Sequence, residues 1–467
     1  MPTGSAKKRG PRLGGGRVWR RPRRPPAAGQ PGERLHRVAG QPGERPARTP
    51  LGRDFGLLVA GQVVSVIGSA TLRFSLDLHV LDITGRADVF ALVVALSTLP
   101  GIAFTPIGGA VADRFPKRNL MVGLDAANAA LVLPLTVAMG LGQTRVGGIG
   151  LALAVLCLIS SMYQPTVQAS VPAIVGRDRL ADANGLVAGI GALSSFVAPV
   201  MGGVLYGLVG IETLLAGSCA AFAGSALLEA FIRIPFAKRA SDRPLAATLL
   251  GDVREGLRFA WRDNPLVFRA IGLACALNML MVPVFVIGVP YILRFTLHSS
   301  DTMYGAGLAC TEAATIMGAV FAGRLTRRLR MATLDRALWL IAALMAPMAA
   351  AMLPAVLGLG YWPPFVGFLV FEVAAVAACT AVSVFAVTEI QKTTPEDMIG
   401  KVMALLLAGS QIAAPIGQIA YGFAFEGFSA ATWAPFGFAA CAAALIAVGA
   451  KPILNPPGGS ASGLGAG

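Results

Sequence analysis

The sequence predicts an all-α integral membrane protein with twelve transmembrane helices in two pseudo-symmetric six-helix halves. Three observations carry that expectation. The 467-residue chain is 55% hydrophobic and only 13% charged, with a mean hydropathy of +0.67, too apolar for a set of soluble domains. From Phe55 onward it is divided into apolar runs of roughly 20 residues, each long enough to cross a hydrocarbon core of about 30 Å. Short patterns of the first half also return in the second at an offset of about 215 residues, the mark of a membrane fold built by internal repetition.

Residues 1–53 are a basic tail. Residues 1–50 hold thirteen Lys or Arg against Glu33 and Glu44, so most of the formal charge of +15 belongs to the tail and little to the rest of the chain. With Gln-Pro-Gly-Glu-Arg at 30–34 repeated at 41–45 and almost nothing to bury, it is expected to be a disordered cytoplasmic arm. It would touch anionic lipid or reflect a start site set too far upstream. Only Trp19 interrupts the arginines, so no nucleic-acid partner is expected.

The spans are expected at 55–81, 89–112, 120–140, 149–171, 184–204 and 212–232, forming a first half at 54–232. Those of the second half, 269–451, are expected at 269–291, 303–323, 338–358, 363–387, 398–423 and 433–450. Between the halves runs a cytoplasmic loop, 233–268, in which Val253, Leu257 and Trp261 share one helical face opposite basic residues, the pattern of a helix lying on the membrane surface. Residues 452–467 are expected to be a disordered tail. Placing the amino terminus inside puts 35 of the 39 Lys and Arg on the cytoplasmic side and leaves only Arg86, Arg145 and Arg294 outside, so both termini are expected in the cytoplasm. The six cysteines all fall in apolar runs without a CxxC or Cys/His cluster, which implies neither disulfides nor a metal site. No Gly-Lys-Ser/Thr phosphate loop is present, and no nucleotide or other cofactor is implied.

The loop between spans two and three reads Gly108-Gly109-Ala110-Val111-Ala112-Asp113-Arg114-Phe115-Pro116-Lys117-Arg118-Asn119. Gly108 and Gly109 leave a helix flank bare for close approach of another backbone. Asp113 ends the apolar run where its charge can reach water, a helix N-terminus or a basic neighbour, and Arg114, Lys117 and Arg118 hold the loop on the cytoplasmic side. The pattern resembles the loop signature of the major facilitator superfamily, with Pro116 replacing its second Gly, and that resemblance extends over residues 55–450. Within the superfamily, Leu72-Arg73-Phe74-Ser75, Val80-Leu81-Asp82-Ile83-Thr84-Gly85 and Leu96-Ser97-Thr98-Leu99-Pro100 are similar to the branch of macrolide-efflux and enterobactin-exporter proteins. Gly191, Pro199, Gly202 and Gly203 of span five are similar to the family's antiporter motif, with Ala198 where a Gly is usual. Span four lacks the Arg that many drug–proton antiporters carry there, an argument against their usual coupling route.

The resemblance implies a plasma-membrane exporter of a bacterium, probing the bilayer with twelve spans, acting as a monomer and moving an amphiphilic small molecule outward in exchange for protons. Charges in apolar spans cost about 3 kcal/mol or more at mid-bilayer unless paired or hydrated, so depth ranks the functional candidates. Glu312 and Glu372 fall near the middle of spans eight and ten, Arg73 in the outer half of span one, and Asp77 one turn beyond it; in the family fold these spans border the central cavity. Asp125 and Glu229 fall nearer the cytoplasmic ends of spans three and six, where pairing with basic loop residues is expected. The competing readings are an importer or lipid flippase on the same fold, and a non-transporting receptor or scaffold. A membrane-embedded enzyme is not expected, since no HExxH, GxSxG or paired His is present.

Overall fold

The computed structural model describes residues 52–143, 145–176, 179–235, 251, 254–325 and 334–454. Outside them lie residues 1–51 of the expected tail 1–53, residues 455–467 of the expected tail 452–467, the loop at 236–250 with Val253, and the repeated basic stretch at 326–328.

Among the described residues ten helices are long and apolar enough to cross a membrane, and counting the two parts of Leu180–Ala230 separately and adding Leu334–Ala350 gives twelve helical spans. In the first half they are α1 (Arg53–Thr84), α2 (Ala87–Arg114), α3 (Lys117–Gly140), α4 (Val146–Ile174) and a single run, Leu180–Ala230, that supplies both α5 and α6. The second half comprises α7 (Pro265–Thr296), α8 (Asp301–Leu325), α9 (Leu334–Ala350), α10 (Trp362–Thr393), α11 (Glu396–Gly427) and α12 (Trp433–Leu454). An even number of crossings puts the start of α1 and the end of α12 on one side, the terminus face; the opposite side is the far face.

Three details differ from the sequence expectation, each for a local reason. The expected loop between spans five and six is one residue: Gly210, at φ 75° and ψ 168°, breaks the run into 180–209 and 211–230, a conformation essentially confined to glycine. Span nine was expected at 338–358 but runs from Leu334 to Ala350, and Pro354 then starts a separate turn, Pro354–Leu357, because the residue before a proline is driven out of the helical region. In α7, Pro283 and Pro290 each remove a backbone donor, and just after them the helix widens to i→i+5 turns over Val284–Gly288 and Ile292–Thr296.

Lipid tails are as apolar as leucine, so helices in a membrane associate through close packing, and small residues mark where backbones meet. Within the first half, Gly108 of α2 is such a point: a Cβ there would lie 2.7 Å from the Ser161 carbonyl oxygen of α4. Between the halves the main contacts are α2 with α11 and α5 with α8. The α5–α8 crossing is backbone on backbone, a Cβ on Gly203 falling 2.9 Å from Gly305 Cα and one on Gly305 falling 2.7 Å from the Pro199 carbonyl oxygen. Leu78, Leu81, Ala87, Phe90, Ala91 and Val94, from the far-face ends of α1 and α2, join the same buried cluster as Val284, Ile287, Leu293, Phe425 and Phe436 of the second half. The halves therefore share one apolar core at the far face.

Candidate functional site: a central cavity and its charged surroundings

A cavity of about 1030 Å³ lies between the halves, lined by the middle and terminus-side portions of α2, α4, α7, α10 and α11, with Arg73 of α1. Its wall alternates neutral polar groups, among them Thr98, Ser160, Ser161, Gln164, Gln168, Asn278, Ser383, Ser410, Gln411 and Gln418, with apolar ones such as Ile102, Leu273, Leu277 and Met281. Its volume is at the upper end for small-molecule sites, and a mostly apolar wall with scattered polar groups suits an amphiphile. Arg73 is the one charged side chain among the described lining residues.

The four candidate charges are not gathered in one place. Arg73 lines the cavity. Asp77, one turn beyond it, stands off the lining near Tyr304 of α8, whose ring lies 5.8 Å from that of Phe74. Its Oδ1 is buried and accepts no hydrogen bond, and no ion pair joins it to Arg73 among the described residues. Glu372 is 0% exposed in the α8–α10 contact, where Thr311 and Glu312 face it and neither carboxylate oxygen receives a hydrogen bond. Neither Glu372 nor Glu312 is among the lining residues. Of the four candidate charges, only Arg73 lines the cavity.

The motif residues divide similarly. Gly108 seats α2 on α4, while Arg114 and Arg118 are exposed and Lys117 partly so; the side chains of Gly109 and Asp113 lie outside the described residues. Pro116, the departure from the family signature, immediately precedes α3 with φ −57°, where a fixed φ and a missing N–H are harmless. In α5, Gly191 is open on its flank, whereas Pro199, Gly202 and Gly203 are buried. Gly202 receives the Phe74 ring of α1 and Gly203 touches α8.

Two charged groupings went unread in the sequence. At the far face, Arg294 of α7 donates from Nε to Asp82 Oδ1 at 2.6 Å, from Nη2 to Asp82 Oδ2 at 2.7 Å, and from Nη1 to Asp301 Oδ1 at 2.6 Å. Asp82 belongs to α1 and Asp301 to α8, so this guanidinium fastens the first half to the second. The Ala87 amide adds a bond to Glu426 Oε2 of α11 at 3.0 Å. The available signal was positional: Asp82, Arg294 and Asp301 all fall within about a turn of the far-face ends of their spans. Within the first half, Asp125 and Glu229 are 0% exposed, and no lysine or arginine among the described residues pairs with them. This corrects the expected pairing with loop basics: their positions along α3 and α6 are as expected, but both point into the helix bundle. Among the described residues no group of three or more His, Cys, Asp or Glu is placed to hold a metal ion.

Comparison with known proteins agrees with this architecture. The chain is 25% identical over 205 residues to macrolide efflux protein A of Streptococcus pyogenes, covering 44% of this chain and half the length of that protein. It is 29% identical over 327 residues to the multidrug efflux pump Tap of Mycobacterium tuberculosis, covering 66% of this chain and 74% of that protein. The solved structure of the nucleoside transporter NupG superposes with a TM-score of 0.68 at 12% identity, covering 86% of this chain and all of that one, which speaks to the fold alone. The model of the Major Facilitator Superfamily matches residues 58–418. Because that match runs from α1 into α11 and covers more than half of the chain, the chain belongs to the Major Facilitator Superfamily.

Proposed function

We propose that the protein is a secondary active exporter that moves an amphiphilic small molecule out of a bacterial cell across the inner membrane, by alternating access and in exchange for protons. Both termini are cytoplasmic in this reading, so the cavity is reached from the cytoplasm while the outer side is held shut by Arg294 and the shared apolar core. The observation that carries the proposal is the cavity itself: drug-sized, largely apolar, dotted with neutral hydrogen-bonding groups, and approached from the terminus face. The likeness to macrolide efflux protein A and to Tap supports efflux of drug-like compounds. Protons would be exchanged through Glu372, with Glu312 and Asp77 as auxiliary acids, each lying at a helix contact that must rearrange when the halves rock. The proton-motive force supplies roughly 2.3 kcal/mol per charge per 100 mV.

A second reading is favoured by one feature. With Arg73 as the only charge among the described lining residues, the cavity also suits an anionic amphiphile, a lipid or a siderophore. Inverted membrane vesicles test both. An exporter accumulates substrate in them when energised and releases protons from the lumen as it does so; absence of energised accumulation across macrolide, dye and anionic amphiphile panels sinks the export reading. Arg73→Gln distinguishes the substrate classes, since it should weaken uptake of anionic compounds and spare neutral ones.

A further inference from the structure

Asp125 of α3 and Glu229 of α6 form a second buried acid site, away from the cavity lining and from Glu372. Four helices build it. Ser65 Oγ of α1 donates to Asp125 Oδ1 at 2.6 Å, and Tyr163 Oη of α4 donates to Glu229 Oε1 at 2.5 Å. Ser225 and Asn128 face the Asp125 carboxylate. The Glu229 side chain lies so close to Gly61 of α1 that a Cβ there would meet it at 2.9 Å. What remains unserved is a set of oxygens: Asp125 Oδ2, Glu229 Oε2 and Asn128 Oδ1 are all buried and accept nothing. Asn128, an amide only 3% exposed, thus presents an empty acceptor beside the Asp125 carboxyl group, and no lysine or arginine among the described residues pairs with either acid.

Two bare carboxylates in such a place would each lose their hydration without a compensating cation, with their mutual repulsion added. A proton on a carboxyl group cancels its charge and turns an acceptor into a donor, supplying what the spare oxygens lack. Among the described residues, the titratable groups that α1, α3, α4 and α6 turn toward the site are Asp125, Glu229 and Tyr163; α1 offers Ser65 and Gly61. We propose that the Asp125–Glu229 pocket is a proton-binding site of the first half, its carboxyl pair holding at least one proton and releasing it to water when these helices part. Tyr163 is followed in α4 by Gln164 and Pro165, which line the cavity, and Ser65 precedes Arg73 by about 12 Å along α1 at 1.5 Å per residue. Loss of the proton would therefore be felt in the cavity through two of its walls. The inference extends the proposed exchange through Glu372 and does not depend on the export reading, because its test needs no substrate.

The test is infrared spectroscopy of the purified full-length protein, following the carbonyl stretch of protonated carboxyl groups against pH in potassium buffer and again with added sodium. The expected result is a protonated-carboxyl band near neutral pH that loses intensity in Asp125→Asn/Glu229→Gln relative to the parent, keeps its intensity with sodium, and shifts in frequency in Tyr163→Phe, which retains both acids but removes a donor from Glu229. If the double variant and the parent give the same band at every pH, the pair is ionised and the proposal fails. Abolition of the band by sodium at constant pH overturns it in favour of a metal-cation site. Should the double variant not be recovered, Tyr163→Phe decides: a band unchanged in position and size from the parent refutes the assignment.

Discussion

Replacing Asp82 by Asn should open the far face, and the size of the effect follows from the geometry. Asp82 receives two charge-assisted hydrogen bonds from Arg294, at 2.6 and 2.7 Å, while Arg294 keeps Asp301 as a second partner at 2.6 Å. A hydrogen bond to a charged group contributes about 1.5–3 kcal/mol, whereas exposed ion pairs contribute little. With Arg294 and Asp82 about one-fifth exposed, at 22% and 18%, an intermediate total near 2 kcal/mol is the reasonable figure for the pair. Because the bonds join opposite halves, that energy favours only the state closed at the far face, and at 1.4 kcal/mol per tenfold it corresponds to about a 30-fold shift in the conformational equilibrium. Spin labels at Glu212 and Leu359, both exposed at the far face and on opposite halves, report the populations by pulsed dipolar spectroscopy. Asp82→Asn should move a large part of the distance distribution to longer values and let an impermeant thiol reagent reach Cys157 of the cavity wall from that side. Combining it with Arg294→Gln should add much less than the sum of the two, since both remove the same contact. Distances and labelling unchanged from the parent in Asp82→Asn would refute the claim that this ion pair holds the far face shut.

Four further outcomes are expected. Tags at Gly142 and Ser300 should be reached from outside the cell, and tags at Lys238 and the C-terminus should not; labelling of Lys238 from the outer face reverses the orientation. Glu372→Gln should abolish proton-driven accumulation while sparing downhill exchange, Glu312→Gln should do so less completely and Asp77→Asn mildly, which substrate-induced proton release from purified protein measures. Asp113→Asn should lower turnover more than abundance, so a normal transport rate at normal abundance removes that residue from the conformational cycle. Gly108→Ala, which puts a Cβ 2.7 Å from the Ser161 carbonyl, should cost about 1–3 kcal/mol by overpacking, seen as a lower unfolding midpoint in detergent.

Much of the fold was legible because the bilayer constrains the chain in one dimension: a span needs length and low charge, both readable in series. The expected starts at 55, 120 and 433 lie close to the helix starts at Arg53, Lys117 and Trp433 for that reason. Irregularities fixed by single residues were harder. Gly210 replaces a loop without changing hydropathy, and Pro354 ends α9 inside a run that remains apolar. The site was less legible, because depth along a helix says nothing of the direction a side chain takes. By depth Asp125 and Glu229 looked like loop partners, yet they point inward; by the same measure Glu312 and Glu372 looked like cavity acids, yet neither is among the lining residues. Arg294 was counted only as a topological charge. Its partner Asp82 is 212 residues away in sequence, and only the docking of one half on the other brings them together.

The Gly203–Gly305 crossing has a mechanical consequence. With no side chains between α5 and α8 there, one helix can roll on the other without any rotamer having to change, so the crossing is a natural fulcrum. Its lever arms are unequal. From Gly305 to Leu325 at the terminus end of α8 is about 30 Å, while Asp301 lies only about 6 Å away on the other side, at 1.5 Å per residue. A tilt of about 20° would sweep the long end through some ~10 Å and the short end through only ~2 Å, taking these same helical rises as the radii. That small displacement is enough to stretch a 2.6 Å hydrogen bond to Asp301 past useful length, so a wide aperture at the terminus face can be traded against the rupture of a few short contacts on the opposite side.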